Sequence, residues 1–227
     1  MIRGVLFDMD GVILDTERFG RGIYLQTCAD HGYPQMNEVI FEELLGKPQE
    51  VGYTIMRRVF GEAFPSEKVF EDYRAEMRRQ ILAGADVCKP GLKACMDGLK
   101  ARGMKIALAT STKRAIVDEY IQCFPLMQDV FDAIVCSVEA GRGKPAPDIY
   151  LEAARRLGLQ PEECIGVEDS VAGLESLTAA GCVRVMIPDL LPCDERFAGL
   201  VDYRLDGLEQ IPKLVDRMKL GARTFGK

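Results

Sequence analysis

Short apolar runs alternate with longer stretches of helical periodicity along this chain. The runs Gly4–Phe7, Lys105–Ala109, Ala133–Cys136, Cys164–Val167 and Val183–Ile187 are mostly uninterrupted by charge, as strands buried on both faces are. The helical stretches between them carry recognisable ends. In KPAPDIYLEAARRLGL, Pro147 suits the first helical position and Gly158 a left-handed cap. In EDSVAGLESLTAAG, Ser170 suits the N-cap and Gly181 the C-cap. Strand followed by helix, repeated, predicts an α/β protein on a parallel sheet with helices on both faces. In such sheets ligands gather at the carboxyl ends of the strands.

The segment 16–84 breaks this alternation and reads as helix after helix. Its last helix, SEKVFEDYRAEMRRQILAG, sets Val69, Tyr73, Met77 and Ile81 at four-residue spacing, an apolar stripe that packs against other helices. We therefore expect residues 1–15 and 85–227 to form one core and 16–84 an all-helical insert. The insert leaves after LFDMDGVILD and returns near CKPG, residues 88–91, which makes it a lid over the strand ends. The tail, 219–227, is expected to be loose.

Composition narrows the chemistry. A net charge of −6 and a pI near 5.1 argue against nucleic acid or an anionic membrane as partner. The N-terminal apolar stretch is too short for a signal peptide or a membrane span, so a cytoplasmic monomer is the expectation. Eight cysteines from Cys28 to Cys193 are scattered without a C-x-x-C pair, which reads as reduced and mostly buried thiols. The single histidine, His31, rules out a multi-histidine zinc site and leaves Ser-His-Asp catalysis resting on it alone. It stands at a helix end, where it suits the C-terminal carbonyls. Any chemistry runs on carboxylates, hydroxyls and lysines.

Those groups stand where the strands end. Asp8 and Asp10 follow the first run, Thr110 and Ser111 the second, Lys144 lies in the loop after the third, and Glu168 and Asp169 follow the fourth. Like charges about 4 Å apart repel by about 4 kcal/mol at an effective dielectric of about 20. A divalent cation offsets such a cluster, and hard oxygen ligands without imidazole or thiolate suit Mg²⁺, which shares its sphere with substrate phosphate. An ionised aspartate also attacks phosphorus and forms an aspartyl phosphate. Asp8 would attack, while Asp10 would protonate the leaving alcohol and later deprotonate water. Thr110 or Ser111 and nearby amides, including that of Gly11, would hold the phosphoryl oxygens. Lys144 would balance charge, and Asp8, Asp10, Glu168 and Asp169 would hold the metal.

With FDMDGVILDTE, ALATST, GKPAPDIY and GVEDSVAG in this order, the chain resembles the haloacid dehalogenase superfamily, in its phosphatase and phosphoglucomutase-like branch. The resemblance spans essentially the whole chain. It implies a Rossmann-like core with a helical cap inserted after the first motif. It also implies Asp8 as nucleophile, Asp10 as general acid and base, Thr110 as phosphate-binding hydroxyl and Lys144 as the motif lysine. Mg²⁺ would then be bound by Asp8, the Asp10 carbonyl and Asp169. Dehalogenase and phosphonatase members lack the second aspartate, so Asp10 implies phosphate esters. Mutases of the β-phosphoglucomutase type carry a histidine and an arginine where this chain has Gly20 and Gln49, which favours a phosphatase of a small phosphorylated metabolite over a sugar-phosphate mutase. Lys47, Arg18, Arg21, Arg57 and Arg58 are the candidate cap cations. Lys47 and Gln49, in the expected substrate loop, are the candidate substrate contacts.

Overall fold

The computed structural model describes residues 1–47, 49–190 and 194–224. They fall into two compact units, Met1–Leu14 with Cys88–Lys227, and Asp15–Val87. The first is built on six strands: β1 (Gly4–Phe7), β2 (Lys105–Thr110), β3 (Ala133–Cys136), β4 (Cys164–Glu168), β5 (Val183–Met186) and β6 (Tyr203–Arg204). They lie in the order β3-β2-β1-β4-β5-β6, every pairing parallel. The five apolar runs are all strands, and β6 is one the apolar pattern does not announce. Both its residues are exposed, and two residues carry no periodicity.

The order reverses at β1, with β2 and β3 on one side and β4 onwards on the other. That reversal opens a crevice beyond the carboxyl ends of β1 and β4, where ligands bind in open α/β sheets. Phe7 is in register with Leu108 on one side and Val167 on the other. Asp8 therefore emerges level with Glu168 and one residue short of Thr110.

The second unit holds α1 (Thr16–Asp30), α2 (Glu38–Glu42), α3 (Gln49–Phe60) and α4 (Ser66–Leu82). In α4, Val69 and Ile81 are fully buried, while Tyr73 meets Tyr24 edge-on at 5.2 Å and donates to the Met77 sulfur. The expected stripe is thus a packing surface. The His31 side chain differs from expectation: it pairs with Asp72 of α4 at 2.9 Å, because a carboxylate within reach outcompetes carbonyls already engaged in the helix.

Returning to the core, the chain forms α5 (Leu92–Ala101), α6 (Arg114–Cys123), the single turn α7 (Ser137–Ala140), α8 (Asp148–Leu157), α9 (Val171–Ala180) and α10 (Ile211–Thr224). α8 packs on β1, β2 and β3, α9 on β4 and β5, and α5 against α10. One core cluster joins Leu6, Ala107, Ala109 and Val135 to Tyr150, Leu174 and Leu177. The alternate strand residues Val5, Phe7, Leu108, Ile165 and Val167 have no exposed surface either, so both faces of the sheet are covered. Ser170, Gly158 and Gly181 cap as expected. Pro147 is the N-cap of α8 rather than its first helical residue, a shift of the size at which helix ends fray. The tail expected to be loose from 219 is helical to Thr224, since α10 buries Ile211, Leu214 and Val215; residues 225–227 lie outside the described residues, as does Cys193. The described cysteines are free thiols, Cys28, Cys95, Cys136, Cys164 and Cys182 among them buried. No helix among the described residues is long and apolar enough to cross a membrane.

β4 and α9 approach so closely that a Cβ on Gly166 would lie 1.9 Å from a Leu177 methyl. Gly166→Ala is expected to cost about 1–3 kcal/mol by overpacking. Thermal unfolding checks this: for a chain of this size the loss lowers the midpoint by about 2–4 °C per kcal/mol, and an unchanged midpoint would refute the close packing.

Candidate active site

Asp8 directly follows β1, and its N–H donates to the Val167 carbonyl at 3.0 Å, which fixes the residue against β4. The loop between α7 and α8 brings Lys144 to it. The ammonium donates to Asp8 Oδ1 at 2.5 Å, to Glu168 Oε1 at 2.6 Å and to the Ala109 carbonyl at 3.3 Å. The side chains of Lys144, Asp8 and Glu168 are 8%, 11% and 1% exposed, so this is a buried cluster in which breaking one partner costs far more than at a surface.

Glu168 is heavily committed. Its Oε1 also accepts from the Tyr150 hydroxyl at 2.5 Å, and its Oε2 from the Asp169 and Ser170 amides and the Ser170 hydroxyl at 3.0–3.4 Å. Two glycines let the backbone close around these acids. A Cβ on Gly173 would sit 1.9 Å from the Glu168 carboxyl carbon, and one on Gly11, at φ +78°, 2.1 Å from Asp169 Oδ2; only glycine takes that left-handed conformation without strain.

The balance of charge is incomplete. Burial raises the Asp8 carboxyl to about 7; Lys144 opposes the shift, and the negative charges of Glu168 and Asp10 reinforce it. Burial alone would lower the Lys144 ammonium, yet the charges of Asp8 and Glu168 and its bonds to them hold it above the usual lysine range. Burial and the charge of Glu168 likewise raise the Tyr150 hydroxyl well above its usual value, so Tyr150 stays a donor.

Asp8, Lys144, Glu168 and Asp169 thus come together, and Asp8, Glu168 and Asp169 present carboxylate oxygens within 4.8 Å of one another, a set with room for one metal ion. Asp10 is half-buried, and its Oδ2 accepts from the Thr112 hydroxyl at 2.8 Å. Thr110 has no exposed surface, and its hydroxyl oxygen accepts from the Thr112 amide at 3.0 Å; Ser111 is exposed. Lys47 and Gln49 belong to the other unit. There Gln49 donates to the Tyr53 hydroxyl, while Arg18, Arg21, Arg57 and Arg58 are ion-paired with Asp15, Glu38, Glu67 and Glu43. Sequence reasoning missed Thr112 and Tyr150 and saw Ser170 only as a cap. Thr112 stands two residues past Thr110 in the same hydroxyl run, the one available signal.

The model of the haloacid dehalogenase-like hydrolases matches residues 2–181. The chain belongs to this family. It is similar to protein CbbY of Rhodobacter capsulatus, 32% identical over 228 residues and covering 94% of this chain and 99% of that one. It is also similar to the phosphorylated carbohydrates phosphatase of Thermotoga maritima, 30% identical over 184 residues and covering 81% of this chain and 84% of that one. The crystal structure of CbbY from Rhodobacter sphaeroides with xylulose-1,5-bisphosphate matches with a TM-score of 0.73 at 26% identity, over 92% of this chain and 96% of that one. This haloacid dehalogenase-like hydrolase is a phosphoric monoester hydrolase.

Without metal, the hydrolase should show the Asp8 titration in its stability. Between the ordinary value of 3.8 and the folded value of about 7, the folded state binds a proton that the unfolded chain has lost. The stability from this group is therefore present below about 3.8 and disappears as pH rises through about 7. Asp8→Asn removes that titration. In a chelator the variant should gain on the wild type as pH rises from 5 to 7, by a few kcal/mol, and the gain should level off above. Thermal unfolding of both across pH measures it; a difference independent of pH would show that Asp8 is not held against its charge.

Proposed function

We propose that this hydrolase releases inorganic phosphate from a small phosphomonoester, a sugar phosphate or a similar metabolite, through an aspartyl phosphate on Asp8. The observation that carries the reading is the buried Asp8 carboxylate on Lys144 at a strand end, with a second carboxylate, Asp10, two residues further on. The substrate class is supported by the relatives, one named for phosphorylated carbohydrates and another solved with a sugar bisphosphate.

A divalent cation fits the oxygen-only donors, and burial, which raises the Asp8 carboxyl, is a cost that such a cation would offset. Asp8 and Asp169 would hold it with the Asp10 backbone carbonyl. Glu168 lies within reach, but its oxygens already accept from Lys144, Tyr150, Ser170 and the Asp169 amide, so we assign it to anchoring Lys144 rather than to the metal. Bound Mg²⁺ supplies charge neutralisation at the phosphoryl group and keeps Asp8 ionised.

The protein groups divide the remaining work. An Asp8 oxygen bonds to phosphorus as the ester P–O bond breaks, and Asp10 gives its proton to the departing oxygen. Asp10, now ionised, takes a proton from the water that attacks the phosphoaspartate, and phosphate leaves with Asp8 restored. Lys144 faces the charge on Asp8 throughout. The exposed Ser111, with the turn that Thr110 supports, is assigned to the phosphoryl oxygens; the Gly11 amide, expected to join them, instead donates to the Leu14 carbonyl at 2.8 Å. Lys47, whose ammonium has no ion partner among the described residues, and Gln49 are assigned to the substrate on their chemistry.

The mutase alternative is not favoured. The resemblance puts a mutase's histidine at Gly20, where a Cβ would meet the Tyr73 hydroxyl at 2.3 Å, which supports the phosphatase reading.

Phosphate release and isomerisation, followed together over a panel of phosphomonoesters that includes β-glucose 1-phosphate, test the reading. Metal-dependent phosphate release that stops with EDTA is expected. Glucose 6-phosphate formed with little free phosphate would establish the mutase instead. Asp8→Asn should abolish turnover with the fold intact, and Asp10→Asn should lower it by about 10²–10⁴; a variant at Asp8 that keeps more than a few per cent of the rate would refute the nucleophile.

A further inference from the structure

We propose that Arg114 is a positioning residue for the active site, its ion pair with Glu139 tying the turn after β2 to the segment that carries Lys144; this rests on the reading that the turn receives the phosphoryl group. Arg114 opens α6, three residues past Ser111. Its Nε donates to Glu139 Oε1 at 2.7 Å and its Nη2 to Glu139 Oε2 at 2.9 Å. Two parallel bonds of this kind fix orientation as well as distance. Nη2 also donates to the Ile134 carbonyl of β3 at 2.7 Å. Arg156 of α8 closes on the same two residues, pairing with Glu139 at 2.9 Å and donating to the Ile134 carbonyl at 2.7 Å.

Glu139 belongs to α7, and α7 needs such a hold. A helix of one turn has no stability of its own. Of its apolar side chains, Val138 is 73% exposed, while Ala140 is partly buried against the core. The chain then passes Gly141, at φ +105°, and Gly143 before it reaches Lys144, and glycines add backbone freedom where the lysine has to be placed. Downstream of Lys144, the Ala146 carbonyl accepts from the buried Ser176 hydroxyl at 2.6 Å. Upstream, Glu139 is the tie to the neighbouring loop.

The pair therefore sets the spacing between two parts of the site that approach from different strands. One is the turn assigned to the phosphoryl oxygens, which leads directly into Arg114. The other is the ammonium on Asp8, five residues past Glu139. The side chains of Arg114 and Glu139 are 33% and 23% exposed, so salt screens them less than a surface pair. Without the pair, both loops lose a common reference and the phosphoryl group is held less well.

Inhibition by inorganic phosphate in Mg²⁺ tests this, because an inhibition constant does not depend on how much of the enzyme folds. Arg114→Gln and Glu139→Gln should each raise that constant, and KM for a phosphomonoester with it, by about ten-fold, less than the loss of about 10² that a 1 Å misplacement can cause. Both remove the same pair, so the double variant should exceed the single ones by no more than about two-fold, as residues in contact are not additive. Should a glutamine variant not fold, Arg114→Lys, which keeps the charge without the fork, or Glu139→Asp takes its place. A loss confined to kcat, with the inhibition constant unchanged, marks a merely structural pair and overturns the proposal. A rise with the Arg114 variant alone would make Arg114 a direct contact, and effects that multiply in the double variant would make the two residues independent; either overturns it. Phosphate that fails to inhibit the wild type would instead overturn the underlying reading of the turn.

Discussion

One cation faces too many anions at the carboxyl edge of this sheet, and much of the local structure follows from that. Lys144 is buried between Asp8 and Glu168, with Asp10 and Asp169 adjoining in sequence. Moving ions out of water costs several kcal/mol each, and a single ammonium cannot offset all of these carboxylates. Glu168 is stabilised by hydrogen bonds from Tyr150, Ser170 and the amide of Asp169. Asp8 accepts from Lys144, yet burial still raises its carboxyl to about 7. On the proposed reading, the positive charge that the cluster lacks is what a bound cation would supply.

The fold makes this deficit affordable by placing it at an edge where the sheet holds everything in register. The order reversal at β1 puts Asp8 beside Glu168 without any long-range loop having to find its partner, because Phe7 and Val167 are already paired. Gly11 and Gly173 then allow the two acidic loops to approach to distances that any Cβ would prevent. Substituting either would act on the site and on stability together, since the same contact serves both.

What the sequence makes legible follows from the range of the forces involved. The buried strands stand out because strands covered on both faces exclude charge over about four residues, as in GVLF and in the CIGV that precedes Glu168. Ser170, Gly158 and Gly181 are legible because capping is local. Asp8, Lys144, Glu168 and Asp169 are legible because parallel strands place their ends together. The rest depends on approach in three dimensions. β6 has two exposed residues and no pattern to read. Thr112 and Tyr150 show nothing beyond a hydroxyl, and their partners lie 102 and 18 residues away. His31 finds Asp72, 41 residues on, instead of the carbonyls beside it in sequence.

The two aspartates one residue apart show how surroundings give the same side chain different work. Asp8 is drawn under the sheet edge, where burial and the lysine leave it a poorly hydrated carboxylate when ionised, which on the proposed reading suits a nucleophile that a cation keeps charged. Asp10 stays half in water, and its bond from Thr112 suits either protonation state: a protonated carboxyl accepts through its carbonyl oxygen, an ionised one through either. A group that must give a proton and then take one back needs that tolerance. A nucleophile needs the opposite, a fixed form. Pushing apart the environments of two acids in this way is the general means by which one site runs acid, base and nucleophilic steps at a single pH. Here one aspartate faces Lys144 and the next but one Thr112, the arrangement on which the proposed division of work between them rests.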